Sequence, residues 1–368
     1  MHDLFSHAQQ IRKPAVVSEG GIIAAQSRKA AEVGAEVLAA GGDCVDAVIA
    51  TTFALGVLEP WMSGVGGGGA MVLYRAREDR HEVIDYGMRA PRSLRPEDYP
   101  LTDGAASDIF PWPRVKDDRN LHGPGSIAVP GVVAGMEEAY RRHAKLPWHE
   151  LLGPSVDLAA EGLLVDWWTT LMISSAAVDL RRYPASAAAY LQDGLPPNAQ
   201  WGIRSSVRLP QDRLKETLSY LAERGPRDFY EGDLAHSIAT DVQAGGGSLS
   251  VEDLASFRAH LREPLAIPYR GGKVCATPEL TCGPTLAHSL RLLEQSLQPT
   301  PGGCARRSKK ALPSRSAAGA IRPSRRRSPP PAMAAGLSPT TASWRRIGFG
   351  SSPAPTWPAR ARFCGKTR

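Results

Sequence analysis

The amino-acid composition of the chain changes at about Ser296. The last 73 residues, 296–368, contain 15 Lys and Arg residues and 11 Pro residues but no Asp or Glu. No sustained helical or strand periodicity runs through them. A segment of this composition cannot bury enough apolar surface to offset the entropy cost of folding. The sequence therefore predicts a folded region, residues 1–295, followed by a basic Pro-, Arg-, Ser- and Ala-rich tail, residues 296–368, that is disordered if it is genuine.

The overall net charge of +7 conceals this division. Residues 1–295 hold 29 of the 44 basic residues and all 37 acidic residues, so the folded region is mildly acidic. The apolar fraction of 42% is typical of a globular protein. No apolar run reaches the 18 or so residues of a membrane span, so we expect no membrane partner.

Other features bound the cellular location and the chemistry. The N-terminal residues lack the apolar core and cleavage site of a secretion signal. The five Cys residues are scattered and odd in number, which favours reduced thiols. We therefore expect a cytoplasmic protein. No CxxC or HExxH motif occurs, and the nine His residues form no cluster with ligand spacing. The sequence therefore predicts no metal and no cofactor.

Helix and strand patterns alternate through residues 1–295. Ser27 is positioned to cap a helix that ends at Gly41, and Asp43 precedes CVDAVIATTFALGV, a helix apolar nearly all round and hence buried. AMVLY and HEVIDYG predict a hairpin. Helices are also predicted at 130–143, 211–224, 233–243 and 284–294, with another starting at a capping box on Ser250. LAIPYRGGKVCATP predicts two strands joined by a Gly271-Gly272 turn. This pattern predicts a mixed α/β fold with layered helices and sheet.

Four consecutive glycines, residues 66–69, stand between the apolar helix and the first strand. No Lys followed by Ser or Thr comes after them, as a phosphate-binding P-loop requires. The run also leads from a helix into a strand, which is the reverse of a dinucleotide-binding turn. Two interpretations stay open. The glycines allow tight backbone packing or positive φ, or they let backbone N–H groups approach a substrate or a developing oxyanion.

Three motifs around this run resemble a known family. They are Gly-Gly-x-x-Val-Asp-Ala at residues 41–47, Leu-Gly-Val-x-Glu-Pro at 55–60 and Ser-Gly-x-Gly-Gly-Gly-Gly at 63–69. In this order they resemble the N-terminal portion of the γ-glutamyltransferase (γ-glutamyltranspeptidase) family. The resemblance continues through VPGVVAGMEEAYRRHAKLPW, DFYEGDLAHSIATDVQAGGGSLS and REPLAIPYRGGKVCATPELTCGPT. It covers residues 13–294, which is nearly the whole folded region.

The resemblance implies an N-terminal-nucleophile (Ntn) hydrolase with an αββα sandwich. In this family the precursor cuts itself into two chains, and the new N-terminal Thr attacks a γ-glutamyl or related amide with its own α-amine as base. Residues 1–295 look like the large chain, so the sandwich is expected to be incomplete, without its small-chain half. The resemblance places an active-site loop at Ser63, Gly64, Gly66, Gly67, Gly68 and Gly69.

One departure from the family concerns substrate recognition. Family members carry Asp-x-Arg-Glu-x-Ala-Pro where this chain has DYGMRAP, residues 85–91. The family arginine, which clamps the α-carboxylate of the substrate, falls on Gly87, and Arg89 follows two residues later. A second residue along a strand lies on the same face, displaced by about 6–7 Å. Arg89 is therefore a candidate carboxylate-binding residue, with a surface role as the alternative. The departure favours an amidohydrolase or acylase with another acyl group.

The second departure concerns the nucleophile. The family nucleophile lies in a Thr-Thr-His or similar stretch, and no Thr in this sequence is followed by His. The pairs Thr51-Thr52 and Thr169-Thr170 belong to large-chain segments, and Thr340-Thr341 lies in the acid-free tail. We therefore predict no catalytic residue, no activity and no self-cleavage for this chain.

Two origins of the tail stay open. An out-of-frame translation of a GC-rich gene yields this composition, and the change would then fall at about residues 293–297. A genuine basic tail would instead make the chain a non-enzymatic scaffold whose tail meets nucleic acid or another anion. Its four aromatic residues are too sparse for base stacking, so nucleic acid is not an expected partner. The loss of periodicity together with the change of composition favours the frameshift.

Overall fold

The structure is a computed structural model of the 368-residue chain. It describes residues 15–105, 112–198 and 206–297. The predictions about the tail fall outside the described residues, apart from positions 296 and 297, and the boundary between residues 295 and 296 stays a prediction. Within the described ranges, no helix is long and apolar enough to cross a membrane.

Eleven α-helices lie in the described ranges. They are α1 (Arg28–Ala39), α2 (Cys44–Leu58), α3 (Val132–His143), α4 (Trp148–Glu161), α5 (Trp167–Leu180), α6 (Pro184–Tyr190), α7 (Asp212–Arg224), α8 (Asp228–Glu231), α9 (Asp233–Ala244), α10 (Val251–Ser256) and α11 (Gly283–Leu297). Each helix predicted from periodicity is present, with ends within three residues of the predicted ones.

Nine strands in the same ranges form small antiparallel sheets. They are β1 (Gly69–Arg75), β2 (Arg80–Tyr86), β3 (Leu101–Ala105), β4 (Pro113–Val115), β5 (Leu163–Leu164), β6 (Arg208–Leu209), β7 (His260–Arg262), β8 (Leu265–Tyr269) and β9 (Gly272–Ala276). The central sheet has the order β1-β2-β7, and the other strands pair as β3-β4, β5-β6 and β8-β9. The predicted mixture of helices and strands is confirmed.

Local capping explains where α2 begins. The Asp43 side chain accepts a hydrogen bond from the Val45 N–H at 2.8 Å, and the Asp46 side chain accepts one from the Asp43 N–H at 2.8 Å. This reciprocal capping box satisfies backbone donors that the first turn leaves without helical partners. As predicted, α2 is largely buried. Ser27 holds the N-cap position of α1, but its side chain makes no capping hydrogen bond.

Both predicted hairpins are present. In the first, β1 pairs with β2 from Gly69 opposite Tyr86 to Arg75 opposite Arg80. In the second, Tyr269 pairs with Gly272, so the turn is Arg270-Gly271 rather than the predicted Gly271-Gly272. Both turn residues have positive φ, 50° and 76°. This backbone matches the twist of two-residue hairpins, which explains why glycine stands at the second turn position.

The main core lies between α1–α4, one face of the β1-β2 hairpin and the helices α7–α10. The hairpin contributes Met71, Leu73, Ile84 and Tyr86 to this core. Two smaller clusters lie outside it. One is built on β5, β6, α5 and α6 around Leu163, Val165 and Ile173, and the other joins β8, β9 and α11 around Ile267, Ala276 and Ala287.

Candidate functional site

The glycine-rich loop is bound to the start of α3. The carbonyl oxygen of Gly67 accepts hydrogen bonds from the N–H of Gly131 at 2.8 Å and from the N–H of Val132 at 3.1 Å. These N–H groups belong to the first turn of α3 and have no partner within that helix. The loop therefore supplies the acceptor that the helix start needs, and the helix fixes the position of the loop.

Close packing explains one part of the glycine run. A Cβ on Gly68 would lie 2.7 Å from the backbone nitrogen of Met88 and 2.9 Å from the carbonyl oxygen of Tyr86. A Cβ on Gly131 would overlap the same Tyr86 oxygen, and one on Gly135 would overlap the Tyr86 ring. Glycine is therefore required at these three positions because backbone and ring approach where the side chain would be.

Another part of the run is open. A Cβ on Gly64 or Gly66 would meet no atom within 4 Å. Neither these two glycines nor Gly67–Gly69 have positive φ, so the positive-φ interpretation is wrong for this loop. Upstream, the Ser63 N–H donates to the carbonyl oxygen of Glu59 at 3.0 Å, which fixes the entry to the loop. The Cβ directions of Gly64 and Gly66 are therefore unobstructed, while the Gly64 backbone itself packs on Gly56 of α2. On its unobstructed side the loop can approach a substrate without interference from side chains.

The segment after β2 lies directly against this loop. Because Gly68 packs on Met88, residues 87–89 are its neighbours. The Gly87 N–H donates to Asp85 Oδ1 at 3.0 Å. A Cβ on Gly87 would meet only that oxygen within 4 Å, at 3.3 Å. A Cβ at Gly87, the predicted position of the family arginine, therefore fits only if that oxygen moves by a few tenths of an ångström.

Arg89 has partners of its own. The Arg89 N–H donates to the Val129 carbonyl at 3.3 Å, and the Val129 N–H donates to the Arg89 carbonyl at 2.8 Å. The guanidinium lies over the Phe257 ring at 4.6 Å from its centroid and donates to the carbonyl oxygen of Arg258 at 3.0 Å. One of its five N–H donors is used in that bond. A role for Arg89 in binding a substrate carboxylate stays a prediction.

Two residues of β7, His260 and Arg262, lie next to Asp85. His260 is paired in register with Asp85, and Arg262 Nε lies 3.7 Å from Asp85 Oδ2. Arg262 Nη1 also forms an ion pair with Glu279 Oε1 at 3.2 Å. Burial, together with the charges of Arg89 and Arg262, lowers the pKa of His260. The sequence-based analysis missed these β7 residues, because only strand pairing across about 175 positions brings them to Asp85.

The threonine pairs in the described residues hold structural positions. On α2, Thr51 is buried and the Thr52 hydroxyl donates to the Val48 carbonyl at 2.8 Å. On α5, the Thr169 hydroxyl donates to the Leu164 carbonyl at 2.9 Å and the Thr170 hydroxyl to the Pro197 carbonyl at 3.2 Å. None of these residues is a free chain end. The pair Thr340-Thr341 lies outside the described residues.

Across the described ranges, no group of three or more His, Cys, Asp or Glu residues is arranged to hold a metal.

Sequence comparison identifies the family to which this loop belongs. The family model described as gamma-glutamyltranspeptidase matches residues 30–311. The chain belongs to the gamma-glutamyltranspeptidase family. The match extends past residues 295 and 296, so the family likeness and the composition do not change at the same residue.

Individual family members support the assignment. The chain is 34% identical over 284 residues to the Acylase ACY 1 proenzyme of Pseudomonas sp. (strain V22), which covers 77% of this chain and 49% of that protein. It is 32% identical over 267 residues to the glutathione hydrolase proenzyme of Bacillus subtilis (strain 168), covering 73% and 43%. The chain therefore spans about half the length of these relatives.

A solved structure shows the same fold. The gamma-glutamyltranspeptidase from Pseudomonas nitroreducens superposes with a TM-score of 0.65 at 30% sequence identity, covering 76% of this chain and 78% of the solved chain. The fold is therefore that of the Ntn hydrolases of this family, and the layered α/β architecture predicted from the resemblance is confirmed. The gamma-glutamyltranspeptidase glycine motif forms the loop between α2 and β1.

Proposed function

We propose that residues 1–295 form the large-chain half of an Ntn hydrolase or acyltransferase that acts on γ-glutamyl or related amide bonds. The observation that carries this proposal is the glycine-rich loop, fixed by two hydrogen bonds to α3 and open at Gly64 and Gly66. Such a loop can bring backbone N–H groups close to a reacting amide. The acylase and glutathione hydrolase relatives support amide cleavage as the reaction class.

The acyl group is proposed to differ from that of a strict glutathione enzyme. A bidentate carboxylate clamp requires a guanidinium, and position 87 has no side chain. Arg89 retains donors beyond the one bound to Arg258, but its guanidinium already stacks on Phe257. An acyl group without an α-carboxylate would need no clamp at Gly87.

The selectivity can be measured on a chain in which the missing half is present. γ-Glutamyl-p-nitroanilide and 4-aminobutyryl-p-nitroanilide differ only in the α-carboxylate, so the ratio of their kcat/KM values reports the clamp. We expect little preference for the γ-glutamyl compound, and a shift toward it in Gly87→Arg. A strong preference for the γ-glutamyl compound in the parent chain would contradict the proposal, and would point to Arg89 as the clamp.

We further propose that a polypeptide of these 368 residues is inactive and does not cut itself. No Thr-His pair occurs in the sequence, and the Thr51-Thr52 and Thr169-Thr170 pairs lie within helices. The relatives named above are proenzymes, which is consistent with processing of the complete family protein. The family's small-molecule amide substrates would need groups from the missing half.

The origin of the tail is a separate part of the proposal. We infer that the reading frame changes between about residue 293 and residue 311, where the acidic residues and then the family match end. The test is to read the nucleotide sequence past codon 293 in all three frames. A Thr-Thr-His stretch in another frame, within acid-containing periodic sequence, is the expected result. Its absence from every frame would mean that the tail is genuine.

A genuine tail would favour the second candidate, a non-enzymatic scaffold with an anion-binding segment. Its support is the concentration of 15 basic residues and no acidic residue at 296–368. Binding of nucleic acid that weakens with salt and disappears when residues 296–368 are deleted would support it.

We also propose a cytoplasmic location, based on the scattered odd number of cysteines.

A further inference from the structure

The first turn of α3 has no capping side chain of its own. Gly131 stands at the N-cap position and offers no side-chain acceptor. The usual capping residues Ser, Thr, Asp and Asn cannot replace it, because a Cβ at this position would overlap the Tyr86 carbonyl oxygen. The backbone N–H groups at the start of α3 therefore need acceptors from other parts of the chain.

Two acceptors from distant elements complete this helix start. The Gly67 carbonyl oxygen accepts from the N–H groups of Gly131 and Val132. The Tyr230 hydroxyl oxygen accepts from the Ala134 N–H at 3.0 Å. Ala134 is the third residue of α3, so its N–H has no partner within the helix. The glycine-rich loop and Tyr230 therefore cap the same helix.

The Tyr230 hydroxyl also fixes the peptide unit that precedes α3. It donates to the Pro130 carbonyl oxygen at 3.0 Å. This carbonyl and the Gly131 N–H belong to one planar peptide unit and point in opposite directions. Tyr230 therefore holds one end of the unit while Gly67 accepts from the other. Burial raises the pKa of Tyr230, so the hydroxyl stays protonated and continues to donate at neutral pH.

Packing holds the Tyr230 ring independently of the hydroxyl. The residue is fully buried, and its ring stacks on Phe257 with the centroids 5.8 Å apart and the planes at 9°. The Arg227 guanidinium lies over the Tyr230 ring at 4.8 Å from its centroid. The Phe257 ring in turn contacts the Arg89 guanidinium, at 4.6 Å from its own centroid. Removing the hydroxyl alone leaves all these ring contacts in place.

We propose that Tyr230 is the positioning residue of the glycine-rich loop. Its hydroxyl fixes the Pro130–Gly131 peptide unit, and this unit fixes the loop through Gly67. Through Phe257, the ring of the same residue also supports Arg89. Tyr230 therefore connects both parts of the candidate site, although it lies in a different segment of the sequence from either.

The inference rests on the proposed function for the task of the loop, but the position of the loop can be measured without turnover. The experiment therefore uses the full 368-residue chain. A negative result there would count against Tyr230 alone. Absence of amide cleavage when the missing half is present would count against the proposed function and leave the role of Tyr230 unchanged.

Amide hydrogen exchange of the full chain, followed by mass spectrometry of short peptides, provides the test. Tyr230→Phe removes the hydroxyl and keeps the ring. The N–H groups of Gly131, Val132 and Ala134 and the loop segment 63–68 should exchange about fivefold faster or more, because buried backbone groups lose a hydrogen-bond partner. Exchange in the cluster of β8, β9 and α11 should stay unchanged.

Tyr140→Phe is the matched control. The Tyr140 hydroxyl accepts from the Trp148 N–H at 3.1 Å, so the variant removes the same kind of cap from the start of α4. It should speed exchange at the start of α4 and leave the segment 63–68 unchanged. Unchanged exchange at 63–68 in Tyr230→Phe would overturn the proposal. So would uniformly faster exchange or failure to fold, because the hydroxyl would then support the whole core.

Discussion

The carbonyl oxygen of Gly67 lies 2.8 Å from the backbone nitrogen of Gly131 and accepts its hydrogen bond. This contact joins the glycine-rich loop to the start of α3 across 64 positions of sequence. Gly131 in turn packs against the Tyr86 carbonyl at the end of β2, so loop, strand and helix meet at one point. The open stretch at Gly64 and Gly66 is positioned by this junction.

Replacing Gly131 with Ala should destabilise the protein strongly. The added Cβ overlaps the Tyr86 carbonyl, so the strand or the helix must shift, and we expect a loss of about 2–4 kcal/mol in the free energy of unfolding. Gly68→Ala should cost about 1–3 kcal/mol, because its Cβ meets the Met88 nitrogen at 2.7 Å. Urea denaturation followed by circular dichroism measures both.

Gly66→Ala is the matched control for these two variants. Its Cβ meets nothing within 4 Å and the residue does not have positive φ, so the change should stay within about 0.5 kcal/mol. Equal losses in all three variants would mean that the loop is not divided into a packed and an open part.

Asp46 should be nearly as sensitive as the glycines. Its buried carboxylate accepts from the N–H of Asp43 at 2.8 Å, of Lys145 at 3.0 Å and of Leu146 at 3.3 Å. Asp46→Asn replaces one acceptor oxygen with a donor that faces N–H groups. We expect a loss of about 2–4 kcal/mol in unfolding experiments, since hydrogen bonds to charged groups contribute about 1.5–3 kcal/mol each. Asp157 is an exposed residue of α4, so Asp157→Asn should change little, and a similar loss there would contradict the assignment.

Some contacts of the region around Asp46 could be predicted from the sequence, and others could not. The Ser250–Asp253 capping box and the buried α2 were predictable, because both depend on residues within a few positions of each other. The hydrogen bonds from Lys145 and Leu146 to Asp46 were not, because they depend on how α2 packs against the α3–α4 connection. For Ser27, position alone gave the helix boundary but not the hydrogen bond that was expected with it.

In the candidate site, too, the local motifs were predictable and the long-range contacts were not. The motifs located the loop at residues 63–69, and the resemblance placed the family arginine at Gly87, which stays a prediction. Neither could reveal that Arg89 stacks on Phe257, 168 positions away, or that His260 and Arg262 stand beside Asp85. These contacts arise from the β2–β7 pairing, which joins strands without a local connection.

Stability should fall in acid because of Glu82. Burial raises the pKa of this carboxyl, but hydrogen bonds and charges from His143 and Arg142 outweigh burial and hold it below its ordinary value of 4.5. A carboxyl with a lowered pKa stabilises the fold above its unfolded pKa, and this contribution is lost as pH falls through the folded pKa. The free energy of unfolding should therefore decrease below about pH 4.5.

Glu82→Gln isolates this effect. It should cost about 1.5–3 kcal/mol at neutral pH, because it removes the charged acceptor that Arg142 and His143 contact, and the cost should shrink below pH 4. Urea denaturation at pH 7 and pH 3.5 measures the difference. The exposed Glu216→Gln variant should show no such pH dependence, and a cost for Glu82→Gln that is the same at both pH values would rule out the ion pair as its source.

Gly87→Arg should be tolerated, although it introduces a large side chain directly after β2. Its Cβ meets only Asp85 Oδ1, and the guanidinium can reach that carboxylate or solvent. The free energy of unfolding should change by less than about 1 kcal/mol, whereas Gly68→Arg should prevent stable folding. A collapse of stability in Gly87→Arg would show that position 87 cannot accept a side chain.

The most direct test of the central claim is to incubate the purified 368-residue chain with γ-glutamyl-p-nitroanilide and to measure the intact mass of the protein. We predict no p-nitroaniline release above buffer and one species at 39.4 kDa, because no threonine is available as an N-terminal nucleophile. Release that depends on the protein, or two fragments of which one begins with threonine, would contradict it.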